Sequence, residues 1–207
     1  MKLKTVEFLK GAVGPDDFPQ TLPEVCVVGR SNVGKSSFLN FLTQRRKLVM
    51  TSKTPGKTRE INFFTVNENF NLVDIPGFGY AKVSKKERES IHQVIENYFN
   101  NTTQLAGIIY LLDIRHGLTA IDKESIQWLD GFEFPIQFVL TKSDKLKKSQ
   151  ISKNISAITA DLDLPVAPIV TSSFKKIGRE EVWEQIEELL ESLNPRAEEE
   201  EKEKEKI

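Results

Sequence analysis

The chain has 207 residues, 39% of them apolar, with one cysteine and two histidines. That apolar content can bury a substantial core, and with no internal repeat or long Gly/Ser linker the chain reads as one α/β domain rather than an array. A formal charge of −1 points to no class of partner by itself, and no apolar run is long enough to span a bilayer.

The amino terminus, Met1-Lys2-Leu3-Lys4-Thr5-Val6-Glu7, carries no apolar signal region, so a cytoplasmic protein without a membrane partner is expected. Val25-Cys26-Val27-Val28 reads as a buried parallel strand, with Cys26 a small apolar residue rather than a reactive thiol or metal ligand. Directly after it, Gly29-Arg30-Ser31-Asn32-Val33-Gly34-Lys35-Ser36 fits Gly-x-x-x-x-Gly-Lys-Ser, and Ser37-Phe38-Leu39-Asn40-Phe41-Leu42 continues as a helix that opens near Lys35. Between strand and helix, such a loop is a phosphate cradle. Its glycines let backbone N–H groups turn toward phosphate, Lys35 reaches the β- and γ-phosphates, Ser36 ligates Mg2+ through its hydroxyl, and the helix adds its positive dipole end. The expected nucleotide contacts run from Gly29 through Ser37.

Thr54-Pro55-Gly56-Lys57-Thr58 follows the first helix. Alone it reads as a solvated turn; after a phosphate loop, Thr58 can ligate Mg2+ directly and sense the γ-phosphate through its N–H. Ile61–Val66 and Phe70–Asp74 read as a hairpin. Asp74-Ile75-Pro76-Gly77 closes it, with Asp74 placed to hold Mg2+ through water and Gly77 to offer an unhindered N–H to the γ-phosphate. Ser84-x-x-Glu87 fits a capping box ahead of the stripe Ile91, Val94, Ile95, Tyr98 and Phe99, which leaves His92 on the helix surface. Ile108–Leu112 is a central strand, His116 falls in the loop after it, and Thr119-x-x-Asp122 opens a helix through Ile121, Trp128 and Leu129.

Ile136–Leu140 is a strand closed by Thr141-Lys142-Ser143-Asp144. A carboxylate at Asp144 can accept from both N1–H and N2–H₂ of guanine, whereas adenine presents an acceptor at N1 and leaves it unsatisfied. Lys142 would lay its stem over the purine and brace the phosphate loop. A helix carrying Ile151, Ile155, Ile158 and Leu162 leads to the strand Val166–Val170, after which Thr171, Ser172 and Ser173 can bring a backbone N–H to guanine O6. The last helix carries Val182, Ile186, Leu189, Leu190 and Leu193. Beyond Asn194-Pro195 the chain is nearly all Glu and Lys, a frayed charged tail.

Every nucleotide-contacting loop thus falls at the carboxyl end of a predicted strand, where open α/β sheets bind ligands. The expectation is a three-layer P-loop GTPase fold: a mostly parallel sheet with one antiparallel strand, flanked by helices. Residues 1–194 form the G domain with a short amino-terminal extension, and 195–207 the tail. Lys35, Thr58, Gly77 and Asn32 are the candidate catalytic residues of a monomeric GTP/GDP switch.

Gly-Arg-Ser-Asn-Val-Gly-Lys-Ser, Thr-Pro-Gly-Lys-Thr, Asp-Ile-Pro-Gly-Phe-Gly-Tyr-Ala and Thr-Lys-Ser-Asp together resemble the EngB (also YihA or YsxC) family of bacterial GTPases, over about Val6 to Leu193. Phe78 stands where that family usually has Tyr. The resemblance implies a role in assembling the large ribosomal subunit, with rRNA and ribosomal proteins as partners, and in cell division. Ras-type switches place a Gln after the Gly to orient water; Phe78 has no donor or acceptor for this, so intrinsic hydrolysis should be slow. Asn32 offers a remedy, since related GTPases with Asn at this loop position hold K+ beside the phosphates.

Without the residues from Pro195 onward, the body has 25 basic and 24 acidic residues. Its basic groups cluster on the sensing loops: Arg45 to Lys47, Lys53, Lys57 and Arg59; Lys82, Lys85, Lys86 and Arg88; Lys175, Lys176 and Arg179. They can be solvated lysines or contacts for an RNA backbone. Rival readings are a switch acting through a protein partner unrelated to ribosomes, and an ATP/GTP-dependent small-molecule kinase, which would share the phosphate loop without needing Asp144. A membrane-anchored signalling GTPase is disfavoured by the lack of a lipidation Cys or a Met-Gly start.

Overall fold

A computed structural model describes residues 2–45, 48–49, 60–79 and 84–193. Thr58, the stretch Tyr80 to Lys82, the basic residues Arg46, Lys47, Lys53, Lys57 and Arg59, and the tail lie outside the described residues. In chain order the elements are β1 (Val6–Ala12), β2 (Glu24–Gly29), α1 (Lys35–Leu42), β3 (Ile61–Val66), β4 (Phe70–Asp74), α2 (Lys85–Asn101), β5 (Leu105–Asp113), α3 (Ala120–Asp130), β6 (Ile136–Thr141), α4 (Lys148–Asp161), β7 (Ile169–Val170) and α5 (Arg179–Leu193).

The strands form one seven-stranded sheet in the order β1-β3-β4-β2-β5-β6-β7. β3 runs antiparallel to both neighbours, and every other adjacent pair is parallel. The order follows from burial. β2 and β5 are buried along their whole length and apolar apart from Glu24 at the start of β2 and Asp113 at the end of β5, because both faces are covered, as central parallel strands require. On one face, Cys26 and Val28 pack with Ile91, Ile95, Tyr98 and Phe99 of α2, Leu129 of α3 and Ile158 of α4. On the other, Val25 and Val27 pack with Phe38, Leu39 and Leu42 of α1 and Val182, Trp183 and Ile186 of α5. The expected capping boxes form at Ser84/Glu87 and Thr119/Asp122.

Two elements differ from expectation. Val6–Ala12, expected only as an extension, is the edge strand β1. Its period-2 signal is hidden because Phe8 and Leu9 are both exposed, 58% and 49%, and the register with β3 shifts between Phe8 and Lys10. The strand expected from Val166 contracts to Ile169–Val170: Val166 is exposed and Pro168 has no N–H for a ladder.

Beneath the sheet's amino-terminal edge, Glu24 is buried against α2. Tyr98 Oη donates to Glu24 Oε2 at 2.7 Å and Thr102 Oγ1 at 3.2 Å, while Oε1 is buried with no hydrogen-bond partner among the described residues. Burial pushes this carboxyl up from 4.5 to about 7, over the opposing hydrogen bonds from Tyr98 and Thr102. The folded state therefore holds the proton more tightly than the unfolded chain, and this group's stability is complete below 4.5 and lost as pH rises toward 7. Across that window Glu24→Gln should gain about 3 kcal/mol relative to the parent. Denaturant melts at several pH values would show it, and parallel curves for the two proteins would refute it.

Candidate functional site

The carboxyl ends of the parallel strands β2, β4, β5 and β6 lie along one edge of the sheet, and the loops after β2 and β6 line a cleft there. Gly29 ends β2, residues 30–34 form the loop, and α1 begins at Lys35 with Gly34 in a left-handed conformation (φ 107°) as its cap. The first N–H groups of α1, on Lys35, Ser36 and Ser37, precede the first intrahelical bond, Phe38 N–H to Gly34 O, and with the helix dipole make this terminus suited to an anion.

The loop is held from behind by β6. Thr141 Oγ1 donates to Val33 O at 2.8 Å, and Lys142 Nζ donates to Asn32 O at 2.6 Å. Because a trans peptide points its N–H opposite its C=O, drawing back the Val33 carbonyl turns the Gly34 N–H toward the open side. The N–H groups of Ser31 and Val33 are used within the protein, by Phe78 O at 2.8 Å and Arg30 O at 3.0 Å. The Arg30 side chain leaves the cleft and lies against Asp122 of α3, Nε to Oδ2 3.8 Å. Asn32 is exposed at φ 65°.

The segment after β4 is laddered onto this loop. Phe78 N–H donates to Gly29 O at 3.1 Å, and a Cβ on Gly77 would stand 3.2 Å from both Gly29 O and Ser31 N, so a side chain there would crowd the phosphate-loop backbone and force it to give by a few tenths of an ångström. Phe78 turns away from the cleft and packs edge-on against Trp128, with ring centroids 6.1 Å apart. Asp74, its side chain 2% exposed, is paired with the Lys35 ammonium. Ser36 follows Lys35 in the first turn of α1, so this end of the phosphate loop carries a hydroxyl as well as the buried carboxylate that Lys35 pairs with. This all-oxygen set fits Mg2+, which takes one or two protein ligands beside substrate phosphates; among the described residues no group of three or more His, Cys, Asp or Glu side chains gathers.

On the other side of the cleft, Ser172 Oγ donates to Asp144 Oδ1 at 2.7 Å, and Lys145 Nζ is 3.3 Å from Oδ2. The Ser172 hydrogen bond, ahead of Lys145, holds the Asp144 carboxyl below its ordinary value, so it is an ionised acceptor at neutral pH. Thr171 is tied to β6 through N–H and hydroxyl contacts with Leu140 O, 2.7 and 3.0 Å, and its carbonyl accepts from Ser143 N–H at 3.2 Å. The cleft, about 1260 Å³, runs from Gln44 and Arg45 after the end of α1, past Gly34 and Ser37, to Thr141, Lys142, Asp144, Ser173 and Phe174.

Sequence reasoning missed Asp113. At the end of β5 it accepts from Lys142 Nζ at 2.9 Å and bidentately from Arg115, Nε 2.9 Å and Nη2 2.7 Å. Burial alone would raise its carboxyl, but these hydrogen bonds outweigh burial and hold it well below the usual carboxylate range. It aims Lys142 at the phosphate loop. The only signal in the sequence is an Asp closing the apolar run Ile108–Leu112.

A family model described as "50S ribosome-binding GTPase" matches residues 24–142. The "Probable GTP-binding protein EngB" of Clostridioides difficile (strain 630) is 43% identical over 189 residues, covering 90% of this chain and 93% of that protein. That of Clostridium perfringens (strain 13 / Type A) is 44% identical over 197 residues, covering 93% and 100%. Among solved structures, a probable GTP-binding protein engB superposes with a TM-score of 0.67 at 24% identity, over 82% of this chain and 99% of that one. Era in complex with MgGDPNP and nucleotides 1506–1542 of 16S ribosomal RNA superposes with a TM-score of 0.66 at 22% identity, over 81% and 56%. Both superpositions share the P-loop GTPase architecture of the sheet.

Proposed function

The chain belongs to the EngB family of GTP-binding proteins, a family of GTPases, and from that premise we propose that it is a slowly hydrolysing GTP/GDP switch acting in assembly of the large ribosomal subunit and in normal cell division. The observation that carries the nucleotide choice is the Asp144 carboxylate, held by Ser172, in a cleft whose wall also includes Gly34 at the end of the phosphate loop and Ser37 in the first turn of α1. A small-molecule kinase has no use for that carboxylate.

Gly29 to Ser37 cradle the phosphates, with Lys35 on the β- and γ-oxygens. Thr141 braces the loop, Lys142 braces it and covers the purine, Asp144 reads the guanine edge, and Thr171, Ser172 and Ser173 set that carboxylate and the O6 contact. Ser36 and Thr58 would hold Mg2+ directly and Asp74 through water, and the ion, when bound, neutralises charge between the β- and γ-phosphates. Gly77 senses the γ-phosphate, and the segment it begins, with Thr58, forms the moving parts of a monomeric, cytoplasmic G domain spanning residues 1–194.

Hydrolysis is slow because the residue after Gly77 is a buried phenyl ring, which orients no water. K+ held beside Asn32 supplies the missing positive charge, so turnover in KCl should exceed that in NaCl by about tenfold, which is about 1.4 kcal/mol of barrier. Equal rates would remove this role. The assembly role is tested by co-sedimentation with ribosomal subunits, loaded with GDP or a non-hydrolysable GTP analogue. Retention on the large subunit or its precursor with the analogue alone is expected. No retention in either state leaves the GTPase and discards the ribosome, and turns attention to protein partners.

A further inference from the structure

The turn between β7 and α5 presents Phe174 to solvent, 81% exposed, at the base-side rim of the cleft. A phenyl ring so placed contributes nothing to the core. The turn that carries it is pinned: Ser172 and Ile177 exchange two N–H···O bonds of 3.1 Å, and Lys175 N–H donates to Ser172 Oγ at 3.0 Å. Lys145 Nζ stands over the ring, 5.7 Å from its centroid. The ring's high exposure leaves its other face open to a planar partner. Lys147 and Lys148, at the start of α4, and Lys175 and Lys176, which follow Phe174, are all exposed. Of the acids there, Asp144 is committed to Ser172 and Lys145, and the basic stretch ends at Glu180 and Glu181 in the first turn of α5.

We propose that this patch is an RNA-docking surface, on which an unpaired base stacks against Phe174 while the lysines of the two segments hold the flanking phosphates. The chemistry selects single-stranded nucleic acid: every base has a stacking face, and cations of one sign around a lone exposed aromatic ring match a polyanion with splayed bases. A protein partner would call for an apolar groove, whereas the exposed ring of Phe174 has Lys175 and Lys176 beside it in the chain and Lys145 over its face. Ser172 joins this turn to Asp144, so the platform lies one hydrogen bond from the group that reads guanine, and nucleotide occupancy and RNA affinity should be coupled. The assignment rests on the ribosomal reading above.

The test uses the full chain, a fluorescein-labelled unstructured A/U dodecamer of RNA and purified large subunits. Phe174→Ala removes a solvent-exposed ring and should leave the melting temperature unchanged while weakening dodecamer binding at least about fivefold. Lys175→Glu combined with Lys176→Glu should weaken it further and flatten its dependence on salt. Both variants should lose retention on large subunits. Parent-like dodecamer binding by both variants, or no dodecamer binding by the parent, overturns the proposal. Loss of subunit retention with dodecamer binding intact also overturns it and assigns the patch to a protein. If the variants lose the dodecamer but the parent itself ignores large subunits, the RNA surface stands and the ribosomal reading falls.

Discussion

Asp144→Asn should lower affinity for GTP and GDP by on the order of 10³- to 10⁴-fold and turn the preference toward xanthine nucleotides. The ionised carboxylate of Asp144 is acceptor-only, and guanine offers it two donors, N1–H and N2–H₂. An amide keeps one acceptor but sets its own NH₂ against N2–H₂, leaving two buried donors face to face without acceptors. Xanthine carries a carbonyl at that position and restores the pair. Ser172 can still donate to the Asn oxygen, so the fold should be undisturbed and the melting temperature close to that of the parent. Titration with labelled GDP and XDP reads the outcome directly. A variant within about tenfold of the parent for GDP, with no gain for XDP, would remove Asp144 from base recognition.

Lys35→Ala should act on stability and on binding together. The Asp74 carboxylate beside Lys35 is 2% exposed, and deleting one partner of a buried pair leaves a charge that is neither solvated nor compensated, which costs about 3–5 kcal/mol. Loss of the ammonium from the β- and γ-phosphates should weaken GTP binding by about 10- to 100-fold, the worth of a charged hydrogen bond. Asp74→Asn in the same chain removes the stranded charge, so the double variant should melt above Lys35→Ala alone while GTP affinity stays low. Independent, additive melting changes would show that the pair does not hold the loop.

These outcomes separate what is local in the site from what is assembled. The phosphate loop, the Asp74 turn and the Thr141–Asp144 turn were legible because each is a contiguous run whose residue types match a backbone geometry: glycine where atoms crowd at 3.2 Å, lysine and serine at the first turn of a helix, an acid at a strand's carboxyl end. The hairpin, both capping boxes and the buried central strands were legible for the same reason. Thr58 and the stretch Tyr80 to Lys82 were named from sequence order, and they lie outside the described residues.

The rest depends on partners far apart in the chain. Lys142 reaches Asn32 across 110 positions and Thr141 reaches Val33 across 108, so the rigidity of the phosphate loop belongs to β6 as much as to the loop. Trp183 and Arg179 of α5 cap α1 at Leu42 O, at 3.1 and 2.8 Å, and fix the helix behind the cradle. Asp113 holds Lys142, Phe78 turns its ring into the packing around Trp128, and Glu24 is stranded under α2. By itself the sequence determined the order of the chemical groups and the strand ends that carry them, because local sterics and hydrophobic period act between near neighbours. Only the tertiary structure decided which way Lys142, Arg30 and Phe78 point, which carboxylates are paired or abandoned, and that Val6–Ala12 completes the sheet. Those outcomes depend on which distant surfaces exclude water together, and no short window of sequence contains both sides of such a contact.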